Sequence, residues 1–297
     1  MVSMFGLELW FIYAVLSAIT GGVYIFSTKV AVERGYDGVV FNTVGSFVSA
    51  VILLILTGFI TGYEWLSWYA LVFVALNAVL YMVGNLIRYD ALGCIDTTIF
   101  YPLYKTLSPV LAIAAGVYFF SEAFTQMEWF GLLLSLSVPL LLISGKEKGR
   151  QRNLGRGLIL LVVAAILATI SVIALKLGTE QTTNVWMFSA LAHSGLVLVG
   201  VALLLRKQSP KDLLAKARQT RDSKYVLLMS IMGVTHAFSF VFFMLALSKG
   251  ALGLVYTIQS LYILIPIVLS MIFYNEHCNL RKIIAIVVSL AALGLLK

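Results

Sequence analysis

The sequence predicts an all-α integral membrane protein, with ten transmembrane helices arranged as a 5+5 inverted repeat. Three observations carry that expectation. The first is composition. Of 297 residues, 61% are hydrophobic and 11% are charged. A soluble domain carries about 25% charged residues, and with far fewer it cannot cover a water-facing surface. This composition excludes a soluble enzyme, a nucleic-acid-binding domain and a disordered chain. The second is a series of apolar runs close to the roughly 20 residues that cross a bilayer core. The third is the return of polar landmarks from the first five runs in the last five.

The runs follow from the positions of the charged residues. Residues 9–28 are free of charge and form the first. No basic leader precedes them and further spans follow, so they read as a span and not as a cleaved signal segment. Residues 38–63 and 65–87 form the second and third. Residues 97–121 form the fourth, interrupted once by Lys105. Residues 129–145 form the fifth. The second set is 157–175, 181–205, 225–248, 250–275 and 283–296. The last is short, but Arg281 and Lys282 at its edge can snorkel. Barrel strands alternate apolar and polar residues over about 10 positions. These runs do not alternate, so helices are expected. Only 146–156 and 206–224 are long polar connectors. The chain therefore divides into a first five-helix repeat (1–145), a basic connecting loop (146–156) and a second five-helix repeat (157–297).

Charge sets the expected orientation. The loops after helices 1, 3, 5, 7 and 9 hold 16 Lys and Arg residues; the opposite side holds Lys176, Lys249 and Lys297. Basic residues accumulate in cytoplasmic loops. The net charge of +8 is thus read as topology, not as affinity for nucleic acid. A multi-pass cell-membrane protein with cytoplasmic basic loops and both termini outside is expected. Cys94 and Cys278 make no framework, and no Cys/His spacing suggests a metal. No cofactor is expected.

The halves share landmarks. Lys29 and Glu33 end the first helix, and Lys176 and Glu180 end the sixth, 147 residues later. Ala91-Leu92 precedes helix 4 and Ala246-Leu247 precedes helix 9. Glu122 and Glu276 follow these alanines by 31 and 30 residues. Five helices per half is odd, so the second copy enters the membrane in the opposite sense. Inverted repeats of this kind mark secondary transporters with a site between the halves.

At these residues the chain resembles the drug/metabolite transporter superfamily, in its ten-helix EamA-type branch. The first half carries Ala91-Leu92, Pro109 and Ser121-Glu122, with Gly131 in helix 5. The second carries Ala246-Leu247, Pro266, Asn275-Glu276 and Gly294. Ser121 and Asn275 stand where the family pattern has Gly, and Pro266 is displaced by about a turn. The resemblance implies a 5+5 inverted-repeat bundle that moves small organic solutes. Many relatives are assigned cytoplasmic termini; the charge distribution here gives the reverse.

Polar residues inside the runs mark candidate sites, because charge at mid-membrane is costly. Lys105 lies about nine residues into helix 4, or roughly 13 Å deep. Pro102 precedes it, and a helix proline frees a carbonyl and allows a kink. Tyr101 shares a face with Lys105 at i and i+4, and Tyr104 is adjacent. Lys105 either binds an anionic group or pairs with a buried acceptor. Asn77, Asn85 and Arg88 share one face of helix 3; Arg88 can clamp an anion or anchor the interface. His193 and His236 lie mid-helix and either bond across helices or relay protons. Tyr256, Gln259 and Ser260 match Tyr101, Tyr104 and Lys105 under the repeat. Lys29 and Lys176 near helix ends read as snorkelling groups.

No Asp or Glu lies deep in any run, so a cation would meet Lys105 without a compensating carboxylate. The expected function is a secondary active exporter of a small anionic or zwitterionic metabolite, such as an amino acid or organic acid. Lys105, Tyr101, Tyr104, Arg88, Asn85, His236, Tyr256 and Gln259 would bind it within the lipid bilayer. The proton is the candidate coupling ion. The alternatives are an exporter of drug-like or cationic compounds and an intramembrane lipid-modifying enzyme. No HExxH, GxSxG or intramembrane Asp pair supports the enzyme. A reporter active only outside the cytoplasm, fused after Lys297, is expected to give signal. The same reporter inserted within 211–224 is expected to give none. The opposite pattern would invert the orientation and leave the helices intact.

Overall fold

In the computed structural model the described residues are 8–34, 36, 38–95, 97–142, 153–207, 223–273 and 279–297. Most of the basic connector 146–156, the stretch 208–222, Asn275, Glu276 and Cys278 lie outside them. The regular elements among them are all helical. They are α1 (Leu9–Glu33), α2 (Gly38–Ile60), α3 (Trp68–Leu92), α4 (Thr97–Phe120) and α5 (Gln126–Leu141). After the connector come α6 (Leu154–Glu180), α7 (Val185–Lys207) and α8 (Ser223–Leu247). Then α9 (Leu252–Ser260) passes through a short 3-10 turn (Leu261–Ile263) into α10 (Leu264–Phe273), and α11 (Leu280–Leu295) follows. Among the described residues, eight helical segments are long and apolar enough to cross a membrane, with Leu252–Phe273 counted as one; Gln126–Leu141 is a shorter apolar helix.

Prolines act differently in the two halves. Pro102 and Pro109 both lie inside α4, which continues through them. The expected kink at Pro102 therefore does not interrupt the helix. The ninth run, expected as one helix, is broken before Pro266. A proline lacks the N–H that would bond to the residue four back, here Tyr262. The chain takes 3-10 geometry over that stretch.

Small and polar side chains are buried alongside large apolar ones, and the exterior is apolar. Ala14, Ala165, Ala190, Ser17, Ser49 and Ser189 are buried, whereas Phe59, Leu133 and Leu198 face outward. That distribution suits lipid as the solvent, where helices associate through close approach and hydrogen bonds. The main packing partners are α1 with α8, α3 with α6, α2 with α7, α4 with α9, and α5 with α11.

One end of the bundle has a large apolar cluster, with a smaller one beside it around Leu53, Ala190 and Val241. The large cluster takes Trp10 and Ala14 from α1, Val74 from α3, Ile113 from α4, Leu175 from α6, Phe188 from α7, Leu247 from α8 and Val255 from α9. Polar loops tie this end together. Thr61 Oγ1 donates to Asn184 Oδ1 at 3.0 Å, and Asn184 Nδ2 donates to the Gly62 carbonyl at 3.1 Å. Towards the other end the apolar residues form three smaller clusters, one of them around Val138, Leu261 and Ala285 where α5 meets α11. A second joins α3, α4 and α6 around Phe100, Ile95 and Leu161. The third joins α1, α2 and α8 around Phe41, Tyr225 and Met229.

Two charged groups secure the α8–α9 corner. The Lys176 Nζ donates to the carbonyls of Leu247 at 2.6 Å and Gly250 at 3.0 Å, the α8 C-terminus where a cation is favoured. The Glu122 carboxylate accepts from the N–H groups of Leu252 and Gly253 at the α9 N-terminus, an N-cap supplied by the α4–α5 connection. Lys29 Nζ donates to Ser270 Oγ at 3.0 Å. Both lysines therefore reach other helices of the bundle; the expectation that they snorkel is corrected. Glu122 is aimed by Ser121, whose φ of +52° lies in the left-handed region. This is where the family pattern has Gly, which adopts that region without steric cost. Ser121→Gly is expected to raise stability by about 1 kcal/mol, read as an upward shift in thermal unfolding of the purified protein. Ser121→Val is expected to lower it.

Candidate functional site: a cationic cavity between six helices

Between the large cluster and the end where the apolar residues divide lies a cavity of about 150 Å³. Helical periodicity explains which residues reach it. Helix α3 presents Asn77, Tyr81, Gly84, Asn85 and Arg88, all on one face. Helix α6 answers with Ala164, Ala168, Ser171, Val172 and Leu175. These are mostly small, so α3 comes close enough for Asn77 Nδ2 to donate to Ser171 Oγ at 2.7 Å. Helix α8 contributes His236, Ser239, Phe240 and Phe243, and α1 contributes Gly21, Tyr24 and Ile25. Their seam is fixed by a reciprocal pair: Ser17 Oγ donates to the Ser239 carbonyl at 2.8 Å, and Ser239 Oγ donates to the Ser17 carbonyl at 3.0 Å. The remaining walls are Tyr104, Lys105, Ser108 and Pro109 of α4, facing Tyr256, Gln259 and Ser260 of α9 and Tyr262 of the 3-10 turn.

Of the eight residues expected to bind a solute, Lys105, Tyr104, Arg88, Asn85, His236, Tyr256 and Gln259 line this cavity. Tyr101 does not. Its ring packs edge-on to Phe100 at 5.5 Å, against the α3–α4–α6 cluster. Sharing a helical face with Lys105 is therefore not sufficient, because the α4 N-terminus is covered by α6. Tyr256, matched to it under the expected repeat, does line the cavity.

Lys105 is 9% exposed. Its Nζ lies 4.0 Å from the Tyr262 ring centroid and 5.5 Å from that of Tyr104. Ring faces attract cations, and among the described residues these are its polar contacts: no hydrogen bond or carboxylate meets it. No described carboxylate lines the cavity, whose two charged groups are Lys105 and Arg88. Among the described residues no group of three or more His, Cys, Asp or Glu side chains is placed to hold a metal.

Sequence reasoning missed Tyr262 and Tyr81. Both had a signal. Tyr262 follows Gln259 by three, and Tyr81 sits between Asn77 and Asn85 on the face already assigned to α3.

A helical bundle with eight membrane-length apolar segments among its described residues, around a cavity walled by aromatic, small and a few polar side chains, has the architecture of a polytopic membrane protein. The sequence profile of the EamA-like transporter family matches residues 8–144 and again 155–296. The chain belongs to the EamA-like transporter family. An uncharacterised protein of Methanocaldococcus jannaschii is 28% identical over 135 residues, which is 45% of this chain and 94% of that protein. A solved crystal structure shares the fold with a TM-score of 0.72 at 11% identity, over 94% of this chain and 95% of its own.

The geometry gives Tyr262 a measurable part. Tyr262→Leu is expected to destabilise the protein by about 0.5–2 kcal/mol through loss of the ring beneath Lys105. Tyr262→Phe is expected to keep most of that stability. Thermal unfolding of the two purified variants checks the difference.

Proposed function

We propose that this protein is a secondary transporter that moves a small anionic or zwitterionic metabolite by alternating access, with Lys105 as the group that binds the anionic end. The observation that carries the reading is the Lys105 ammonium, held in the cavity by ring faces with no described carboxylate beside it. A buried cation without a counter-ion is costly. An anion arriving at Lys105 removes that cost. At a separation of 4 Å and an effective dielectric of 20, the attraction is about 4 kcal/mol. A neutral hydrogen bond contributes only about 0.5–1.5 kcal/mol. Arg88, Asn85 and Gln259 supply further donors within the same walls.

The proposed architecture is ten membrane-crossing helices in two inverted five-helix repeats, joined by the basic connector. Its support is the packing pattern. Under the exchange of halves, α1 with α8 maps onto α6 with α3. The pairs α2–α7, α4–α9 and α5–α11 map onto themselves. The double match to one family profile and the half-length archaeal relative agree with this. The large cluster that joins α1, α3, α4, α6, α7, α8 and α9 at one end, against the smaller clusters that divide these helices at the other, supports a state sealed at the first end and parted at the second. The basic loops would then be cytoplasmic, with both termini outside.

The tyrosine-rich walls favour one rival, a lipophilic cation bound on ring faces. Lys105 and Arg88 oppose it. The two readings are separated by a thermal-shift screen of the purified protein against metabolites of both charges, repeated on Lys105→Met. A ligand at 100 times its Kd adds about 2.7 kcal/mol. Carboxylates are expected to stabilise the wild type and not Lys105→Met, while that variant still folds. Lys105→Arg is expected to restore the response only in part, since a planar fork does not reproduce a point charge. Stabilisation by organic cations, enhanced in Lys105→Met, would overturn the anion reading.

A further inference from the structure

The anion reading leaves a second group of titratable side chains on the cavity wall unused. His193 of α7 and His236 of α8 meet with ring centroids 4.6 Å apart and planes at 67°. His236 lines the cavity. Tyr24 of α1 stacks on it at 4.3 Å with planes 11° apart. His193 lies behind, wholly buried, with Phe240 edge-on at 4.6 Å. Its Nδ1 lies 3.1 Å from the Ser189 carbonyl. A carbonyl only accepts, so Nδ1 carries the hydrogen and the neutral ring presents Nε2 as a bare lone pair. That Nε2 is buried without a hydrogen-bond partner, as is Nδ1 of His236. Buried polar groups are normally bonded. Two unsatisfied imidazole nitrogens in adjacent rings beside a cavity suit a structure that accepts a proton there.

We propose that His193 and His236 form a one-proton site, and that this proton is the coupling ion of the transporter. The proton comes from water in the cavity and goes to His236, which becomes an imidazolium while that water becomes hydroxide. The cation then sits against the Tyr24 ring face; the two imidazoles are not hydrogen-bonded as they stand, and on protonation the His236 ring turns so that its Nδ1–H donates to the Nε2 lone pair of His193. His193 is a positioning residue; His236 carries the charge.

The surroundings define how this site responds to the cavity. The titratable neighbours of His236 are Tyr24, His193 and Tyr81. Asn42 and Asn85 on α2 and α3 are neutral. Farther along the wall are the cations Arg88 and Lys105, with Tyr104, Tyr256 and Tyr262 around them. A third positive charge is therefore best tolerated when an anion occupies the cavity. Anion and proton then favour each other's binding reciprocally. This linkage rests on the anion reading; the proton site does not.

The test follows ring nitrogens by NMR in the full chain with ¹⁵N-labelled histidine. The protein has three histidines, and His277→Gln leaves only the pair. Spectra are recorded across about pH 5 to 8, the range where histidine changes charge, in chloride and again with succinate as a probe anion. The expected result is that His236 becomes doubly protonated within this range while His193 keeps one N–H. His193→Phe is expected to lower the His236 midpoint by about one pH unit or more, tenfold in proton affinity. His193→Gln serves the same purpose should the Phe variant not fold. A His236 that stays neutral in both media, or whose midpoint ignores both His193 variants, overturns the proposal. Titration that succinate leaves unchanged keeps the proton site and removes the linkage to the anion.

Discussion

Lipid gives apolar side chains no reason to leave it, so a bundle in lipid is held by close approach and by bonds between polar groups. The six helices around the cavity depend on that constraint. On the α1–α8 seam, Ser17 and Ser239 each donate to the other's carbonyl. The approach there is so near that a Cβ at Gly21 would lie 2.8 Å from Ser239 Oγ. On the α3–α6 seam, Asn77 and Ser171 bond directly. On the α2–α8 seam, Ser49 donates to the Gly233 carbonyl at 2.9 Å, and a Cβ at Gly233 would lie 2.4 Å from Val48 Cγ1. These seams set the spacing of the helices. The cavity is the space left between helices so spaced, where larger side chains meet and leave a gap.

The cavity wall is alike in layout and unlike in chemistry across the two halves. In the proposed repeat Tyr104 and Lys105 of α4 correspond to Gln259 and Ser260 of α9, and all four line the same space. One half offers an ammonium, the other an amide and a hydroxyl. In the proposed reading a bound solute is therefore oriented. Its charged end meets α4, where the electrostatic term is several-fold larger than one neutral hydrogen bond. Its hydrogen-bonding end meets α9. A site with the same chemistry in both halves would not impose that direction.

Much of this was legible in the sequence, for reasons specific to membrane proteins. Charged residues are rare, so they bracket the helices; α6, α7 and α8 begin and end within a few residues of the runs read between charges. Lys105 stood out because nothing else charged lay so deep in a run, and the structure puts it on the cavity. Less legible was whatever depends on a neighbour. Tyr101 has the right spacing but is covered by α6. Tyr262 and Tyr81 share the spacing of residues already picked out, but their contacts across the cavity come from other helices. Lys29 and Lys176 looked like surface groups from their positions near helix ends. Their acceptors, Ser270 and the carbonyls of Leu247 and Gly250, are distant in sequence. The fate of a proline was also hidden, since Pro102 and Pro109 leave α4 whole while α9 breaks before Pro266.

That break has a consequence for the seam it adjoins. A 3-10 turn advances about 120° per residue and an α-helix about 100°. Three residues of 3-10 geometry therefore rotate everything after Ile263 by roughly 60° relative to an uninterrupted helix. The face that α10 turns towards α1 is set by this rotation. It carries Ile265, whose Cβ would lie 2.3 Å from a Cβ added at Gly22, and Ser270, which accepts from Lys29. The same turn places Tyr262 against the Lys105 ammonium. One proline thus couples two features that look independent in the sequence, the fit of α10 on α1 and the ring beneath the cavity's cation. The first half has no counterpart to the break, because α4 runs straight through its prolines. The irregular backbone lies in the half that lacks the charge, directly across the cavity from the half that carries it.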